Sequence, residues 1–145
     1  MNPNELESGD YVDIFIPKDG YIQLAEVISL DRENMKMEIL PQNERNRIVI
    51  STPEQWQSIR PHSIFCQDLR ALGFNETSLE TAYGWTSSEW IKISINRKYV
   101  FHLFYEDGGW RLETHWISGM MQRTESADNI HYIHQLQYHL KQYNN

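Results

Sequence analysis

A two-residue turn at Asp107-Gly108 sets His102 directly across from Glu113 on a β-hairpin, with Arg111 and His115 as neighbours on the same side. An imidazole beside a carboxylate can be poised as a general acid or base near neutral pH, so this pair is where an enzyme could hide. A His–Glu pair across two strands is more commonly a favourable contact and nothing further. Val100, Phe104 and Ile117 fall on the same side, and charge mixed with exposed apolar groups is the make-up of a docking surface. The preferred reading is therefore contact, with Trp90, His102, Phe104, Arg111, Glu113 and His115 as binding residues and no residue assigned a catalytic role. Trp90 and Arg111 suit anchors because each buries a large planar group and can still hydrogen-bond.

Other candidate chemistry is thinner. His131, His134 and His139 lie near the C-terminus, and His131/His134 have the i, i+3 spacing that metal ligands on a helix use. No acid or cysteine on that stretch completes a ligand set, so no metal or cofactor is expected, and the histidines read as packing or solvent-facing. Cys66 is the single cysteine. It sits in an apolar stretch without nearby cations, which predicts a buried, inert thiol. Gly108-Gly109 belongs to the hairpin, and no glycine loop opens a helix as a phosphate cradle does. Neither a nucleophile elbow nor a zinc-protease helix is present.

The formal net charge is −7, and the first sixty residues are the more acidic part, with 11 Asp/Glu against 6 Lys/Arg. Phosphate binding needs a positive face, so nucleic acid is disfavoured as a partner. The nearest basic, aromatic stretch is Trp90–Tyr99, whose Lys92, Arg97 and Lys98 are too few to outweigh the acidic remainder. No apolar run approaches the ~18 residues of a membrane span. The polar start Met1-Asn2-Pro3-Asn4-Glu5 has no signal-peptide pattern, which predicts a cytoplasmic protein without a membrane partner.

The elements that must carry these residues read in two halves. At 145 residues the chain is long enough to build a core unaided, burying about 70% of its unfolded surface. Within residues 1–60, strands are expected at Tyr11–Ile16, Tyr21–Leu30, Met35–Leu40 and Arg47–Ile50, with a turn at Pro17-Lys18-Asp19-Gly20. A helical turn at Thr52–Trp56 starts on Pro53, and Ile59-Arg60-Pro61 is extended. This predicts a small, strongly bent sheet like an SH3-like barrel. Residues 61–145 begin with a linking helix capped by Ser63 and ended by Gly73 after Leu72. Strands Trp90–Ile95, Tyr99–Tyr105 and Trp110–Ile117 follow as an antiparallel three-stranded meander.

The hairpin register pairs Tyr105, Leu103, Phe101 and Tyr99 with Trp110, Leu112, Thr114 and Trp116. A three-residue loop at Asn96-Arg97-Lys98 puts Ile91, Ile93 and Ile95 on that same apolar face. An amphipathic helix over Asn129–Gln142 covers it through Ile133, Leu136 and Leu140, leaving His131, His134, Gln135, Tyr138 and Gln142 opposite. The fold class is α+β, with one continuous core left open as an alternative to two subdomains.

Three short motifs carry a resemblance: Gly9-Asp10-Tyr11-Val12, Leu69-Arg70-Ala71-Leu72-Gly73-Phe74 and Tyr132-Ile133-His134-Gln135-Leu136-Gln137. In this order they resemble a group of small proteins from Bacteroides-type gut bacteria and from their phages and mobile elements. The resemblance implies a mobile-element or phage context and transfers no catalytic residue. The resulting expectation is a non-enzymatic binding module whose partner is a protein or a small ligand such as a nucleotide. The rivals are an enzyme using His102 and Glu113 and a weak nucleic-acid or nucleotide binder.

Overall fold

The structure is a computed structural model and describes residues 3–16, 21–80, 86–117 and 124–143. The turn expected at residues 17–20 lies outside the described residues. The chain is α+β, with two antiparallel sheets of five strands each and three α-helices among the described residues. It divides into two compact units, Met1–Ser63 with Tyr132–His134, and Ile64–His131 with Gln135–Asn145.

The first unit is built from β1 (Tyr11–Ile16), β2 (Tyr21–Asp31), β3 (Lys36–Pro41), β4 (Ile48–Ile50) and β5 (Ile59–Pro61). They lie in the order β4-β3-β2-β1-β5, so the last strand returns to the edge of the first. Alternation drives this half. Met37, Ile39 and Pro41 are buried while Lys36, Glu38 and Leu40 turn outward. Strand β2 spans eleven residues, pairs with β1 and β3, and shifts register between Val27 and Ser29, a bulge that bends it. Helix α1 (Pro53–Gln57) starts as expected on Pro53. Thr52 caps it, its hydroxyl accepting from the Gln55 N–H at 3.3 Å while Gln55 Oε1 accepts from the Thr52 N–H at 3.0 Å. The core gathers Leu6, Val12, Ile14, Val27, Met37, Ile39, Ile50, Trp56 and Ile59.

The second unit opens with α2 (Cys66–Ala71) and continues through β6 (Asn75–Glu80), β7 (Thr86–Ile93), β8 (Tyr99–Glu106), β9 (Gly109–Trp116) and β10 (Thr124–Ile130). Helix α3 (Ile133–Lys141) follows. The sheet order is β10-β9-β8-β7-β6, a meander that contains the three expected strands and adds one at each edge. Helix α2 starts two residues later than expected. Ser63 is not its cap but bridges Tyr132, and the Phe65 N–H is taken by Asp68 Oδ2 at 3.0 Å. Its end is as expected: Gly73 has φ +91°, and the Phe74 N–H returns to the Leu69 carbonyl at 2.9 Å. Cys66, in the first turn of α2, is exposed rather than buried.

The two turns of the central meander differ. Asp107 (φ 51°) and Gly108 (φ 83°) form the expected two-residue turn, and every pair from Tyr99↔Trp116 to Tyr105↔Trp110 is found. Between β7 and β8 the loop is one residue longer than expected. Arg97 takes φ 58°, and the buried Ser94 hydroxyl accepts from the Lys98 N–H at 3.2 Å and the Tyr99 N–H at 3.1 Å. Ile93 therefore pairs with Val100 and Trp90 with Leu103. One residue of slip reverses the whole strand. Trp90 and Lys92 point to the inner, helix-covered face, while Ile91 and Ile93 join His102 and Val100 on the outer one.

The C-terminal helix is also shorter than the sequence pattern suggests. Ile130 pairs with Trp110 as the last residue of β10, after a bulge in which Asn129 has φ 58°. His131 precedes α3 instead of lying on it. His134, placed on the polar side by periodicity, is 4% exposed and belongs to the first unit, where its ring stacks on Tyr132.

Candidate functional site

The outer face of the second sheet can be read row by row from the ladder. One row runs Ile93, Val100, His115, Thr124; the next runs Ile91, His102, Glu113, Ser126; a third runs Glu89, Phe104, Arg111. The β7 side of the face is thus aliphatic at Ile91 and Ile93, with Glu89 in the third row, and the β9 side carries Arg111, Glu113 and His115. Ile93 is 59% exposed, and Ile117, just beyond β9, is 50% exposed. Val100, beside Ile93, and His102 and Phe104 in the next two rows are half-buried.

Five of the six residues expected to bind share this face: His102, Phe104, Arg111, Glu113 and His115. Trp90 does not. It is 1% exposed on the inner face, with the Arg70 guanidinium of α2 5.5 Å from its ring centre. The slipped register removes it from any partner's reach. Lys92 turns inward with it, donating to the Leu72 carbonyl at 2.5 Å and lying 6.0 Å from the Phe74 ring centre. Burial pulls the Lys92 pKa down. The basic, aromatic stretch therefore loses one of its three cations, while Arg97 and Lys98 stay exposed in the loop.

Charge on the outer face forms a connected network. Glu113 Oε1 lies 3.3 Å from Arg111 Nε, and Glu113 Oε2 lies 3.6 Å from His115 Nε2. Arg111 also reaches Asp128 Oδ1 at 3.3 Å. The Arg111 Nε contact is an ion pair by distance but lacks hydrogen-bond geometry, since this nitrogen is buried without a hydrogen-bond partner among the described residues. His115 Nδ1 is 3.0 Å from the Thr124 hydroxyl, and its ring packs edge-on to His102 at 5.3 Å. His102 stands opposite Glu113 as expected, yet the carboxylate is engaged by Arg111 and His115. An acid–base pair needs its proton-transfer partners in direct reach, and here the glutamate works as the hinge of an ion-pair network.

The remaining histidines do not converge. No group of three or more His, Cys, Asp or Glu side chains among the described residues is arranged to hold a metal. In the first unit, His62 Nδ1 lies 2.7 Å from Asp13 Oδ1 across the β1–β5 pair. His134 Nδ1 is buried without a hydrogen-bond partner among the described residues, and burial pulls its pKa down against the opposing pull of Asp10 and Glu5. No helix among the described residues is long and apolar enough to cross a membrane.

The second unit also carries a concave feature that nothing in the residue pattern announces. On the inner face of the second sheet, a groove of about 580 Å³ lies where β8, β9 and β10 meet the C-terminal part of α3 and Tyr143. Leu112 and Thr114 lie at its base, and Tyr99, Trp116, Glu125 and His139 border it. Its signal was hidden because β10 carries almost no apolar residue, so Glu125 could not be placed on a strand. Comparison of the chain with protein-family models, with curated proteins and with solved structures returns no significant match.

Proposed function

We propose that the protein is a non-enzymatic binding module that meets a protein partner through the outer face of its second sheet. The observation that carries this reading is the continuity of exposed Ile93 and Ile117 with Val100 and Phe104, bordered by the Arg111–Glu113–His115 network. An apolar centre with a charged rim is how protein interfaces are commonly built. The engagement of Glu113 by Arg111 and His115 favours contact over acid–base chemistry at His102. The first unit fits an SH3-like barrel in this proposal, supported by its strand order, its bent β2 and the helical turn before β5. A cytoplasmic accessory protein of a phage or mobile element is the setting that the three resembling motifs suggest.

The test compares proteins retained from lysate by the wild-type chain and by an Ile93→Asp/Ile117→Asp variant. Both substitutions are at exposed positions, so the variant should keep its unfolding midpoint and lose the partner. His102→Ala should weaken retention less. A partner retained equally by all three chains would overturn the proposed surface.

A further inference from the structure

The inner-face groove has a chemical character of its own. Three aromatic rings stand against one another at its border: Tyr99 and Trp116 at 5.1 Å and 77°, Tyr99 and Tyr143 at 5.0 Å and 61°, Trp116 and Tyr143 at 6.2 Å and 82°. Edge-to-face packing of this kind fixes the rings before any ligand arrives. Above them, the Tyr143 hydroxyl donates to Glu125 Oε2 and holds the carboxylate in place. Glu125 Oε1 has no partner among the described residues. Two strands and the segment after α3 thus converge on one negative charge set among rings.

No lysine or arginine is among the described residues that border the groove. The one ionisable base among them is His139, and burial pulls its pKa below the ordinary histidine value, which disfavours its charged form. Burial, followed by the bond to Glu125, pushes the Tyr143 pKa up and keeps its hydroxyl a donor. A carboxylate with aromatic neighbours and no competing cation attracts an ammonium or guanidinium group. The volume falls within the range of small-molecule sites, about 300–1,000 Å³.

We propose that this groove binds a small organic cation, an alkylammonium or alkylguanidinium compound, with Glu125 as its counter-charge and Tyr99, Trp116 and Tyr143 as its aromatic surround. The site is on the face of the sheet opposite to the proposed protein-binding surface and does not depend on it.

The experiment is a titration of the full ¹⁵N-labelled chain with agmatine and with spermidine, followed by amide shifts, with pentanol as the neutral probe and glutarate as the anionic one. Agmatine or spermidine should shift the amides of Glu125–Ala127 and His139–Tyr143, while pentanol and glutarate should leave them in place. Glu125→Gln, at an exposed position, should keep the unfolding midpoint and weaken binding roughly tenfold or more, as when a charge-assisted contact is lost. Tyr143→Phe removes the hydroxyl that positions the carboxylate and should weaken binding by a smaller factor. Absence of shifts at these amides in the wild-type chain would overturn the proposal. So would equal shifts with pentanol, or undiminished affinity in a folded Glu125→Gln variant.

Discussion

The two faces of the second sheet are made from the same strands and handle burial in opposite ways. On the inner face Trp90, Phe101, Leu103 and Leu112 are almost wholly removed from water, with Leu136 and Leu140 of α3 also buried. On the outer face Ile91, Val100 and Phe104 are half-buried and Ile93 is mostly exposed, beside an ion-pair network that takes in every charged group of β9. An apolar side chain stabilises the fold in proportion to the area it removes from water. The inner face should therefore carry stability, and the outer face should be free to vary at small cost.

The sharpest way to break that contrast is a matched pair of phenylalanines on one strand. Phe101→Ala empties a fully buried site and should cost about 3–5 kcal/mol. Phe104→Ala, three residues along and on the other face, should cost about 1 kcal/mol or less. Urea unfolding of the two variants checks both values. Similar losses would mean that the outer face contributes to the core as much as the inner.

The next effect in size falls on the loop that separates the faces. Ser94 is buried, and its hydroxyl serves two backbone N–H groups while donating to Asn96 Oδ1 at 2.6 Å. Ser94→Ala should cost about 1–3 kcal/mol, the range for stranding buried polar groups. Weaker protection of the Lys98 and Tyr99 amides in hydrogen exchange would locate the loss in the β7–β8 turn.

That loop also explains what could and could not be read from the residues. The Asp107-Gly108 turn demands positive φ at both positions, which only a few residue types accept, so the register of β8 against β9 was legible. Nothing in Asn96-Arg97-Lys98 announces that Arg97 takes positive φ or that Ser94 closes the loop through its side chain. The missing residue put Trp90 on the wrong face and Ile91 and Ile93 with it. The edge strands were illegible for a different reason. Asn75–Glu80 and Thr124–Ile130 are mostly polar, as edges facing water tend to be, and their pairing is held by the neighbouring strand more than by their own pattern. The five outer-face residues could be placed because they lie on one hairpin. The groove could not, since it needs β10, α3 and the residue after it at once.

Acid provides a comparison between the units. His134 in the first and His139 in the second both have pKa values lowered by burial. A histidine held below its unfolded value of 6.5 binds fewer protons folded than unfolded as pH drops through that value. Its contribution to stability is therefore present above about pH 6.5 and is lost as the pH falls toward the folded pKa. Unfolding midpoints measured from pH 8 down to pH 5 should decline, and His134→Gln should flatten that decline. A profile unchanged by the substitution would show that His134 is not a source of the acid sensitivity.

The smallest effects belong to the outer network, and they distinguish its two carboxylates. Asp128 is well exposed and among the described residues pairs with Arg111 alone, so Asp128→Asn should change stability by a few tenths of a kcal/mol, as exposed pairs do. Glu113 is less exposed and sits between Arg111 and His115, so Glu113→Gln removes a charge that pairs with Arg111 and lies beside the His115 ring. Its cost should be larger, about 1 kcal/mol, and should shrink as salt is added. Urea unfolding of the two variants at low and at high salt checks that order. Equal losses in the two variants at every salt concentration would mean that Glu113 is coupled to its neighbours no more than Asp128 is. The face would then be aliphatic with scattered charges, and the isoleucines alone would have to define what it recognises.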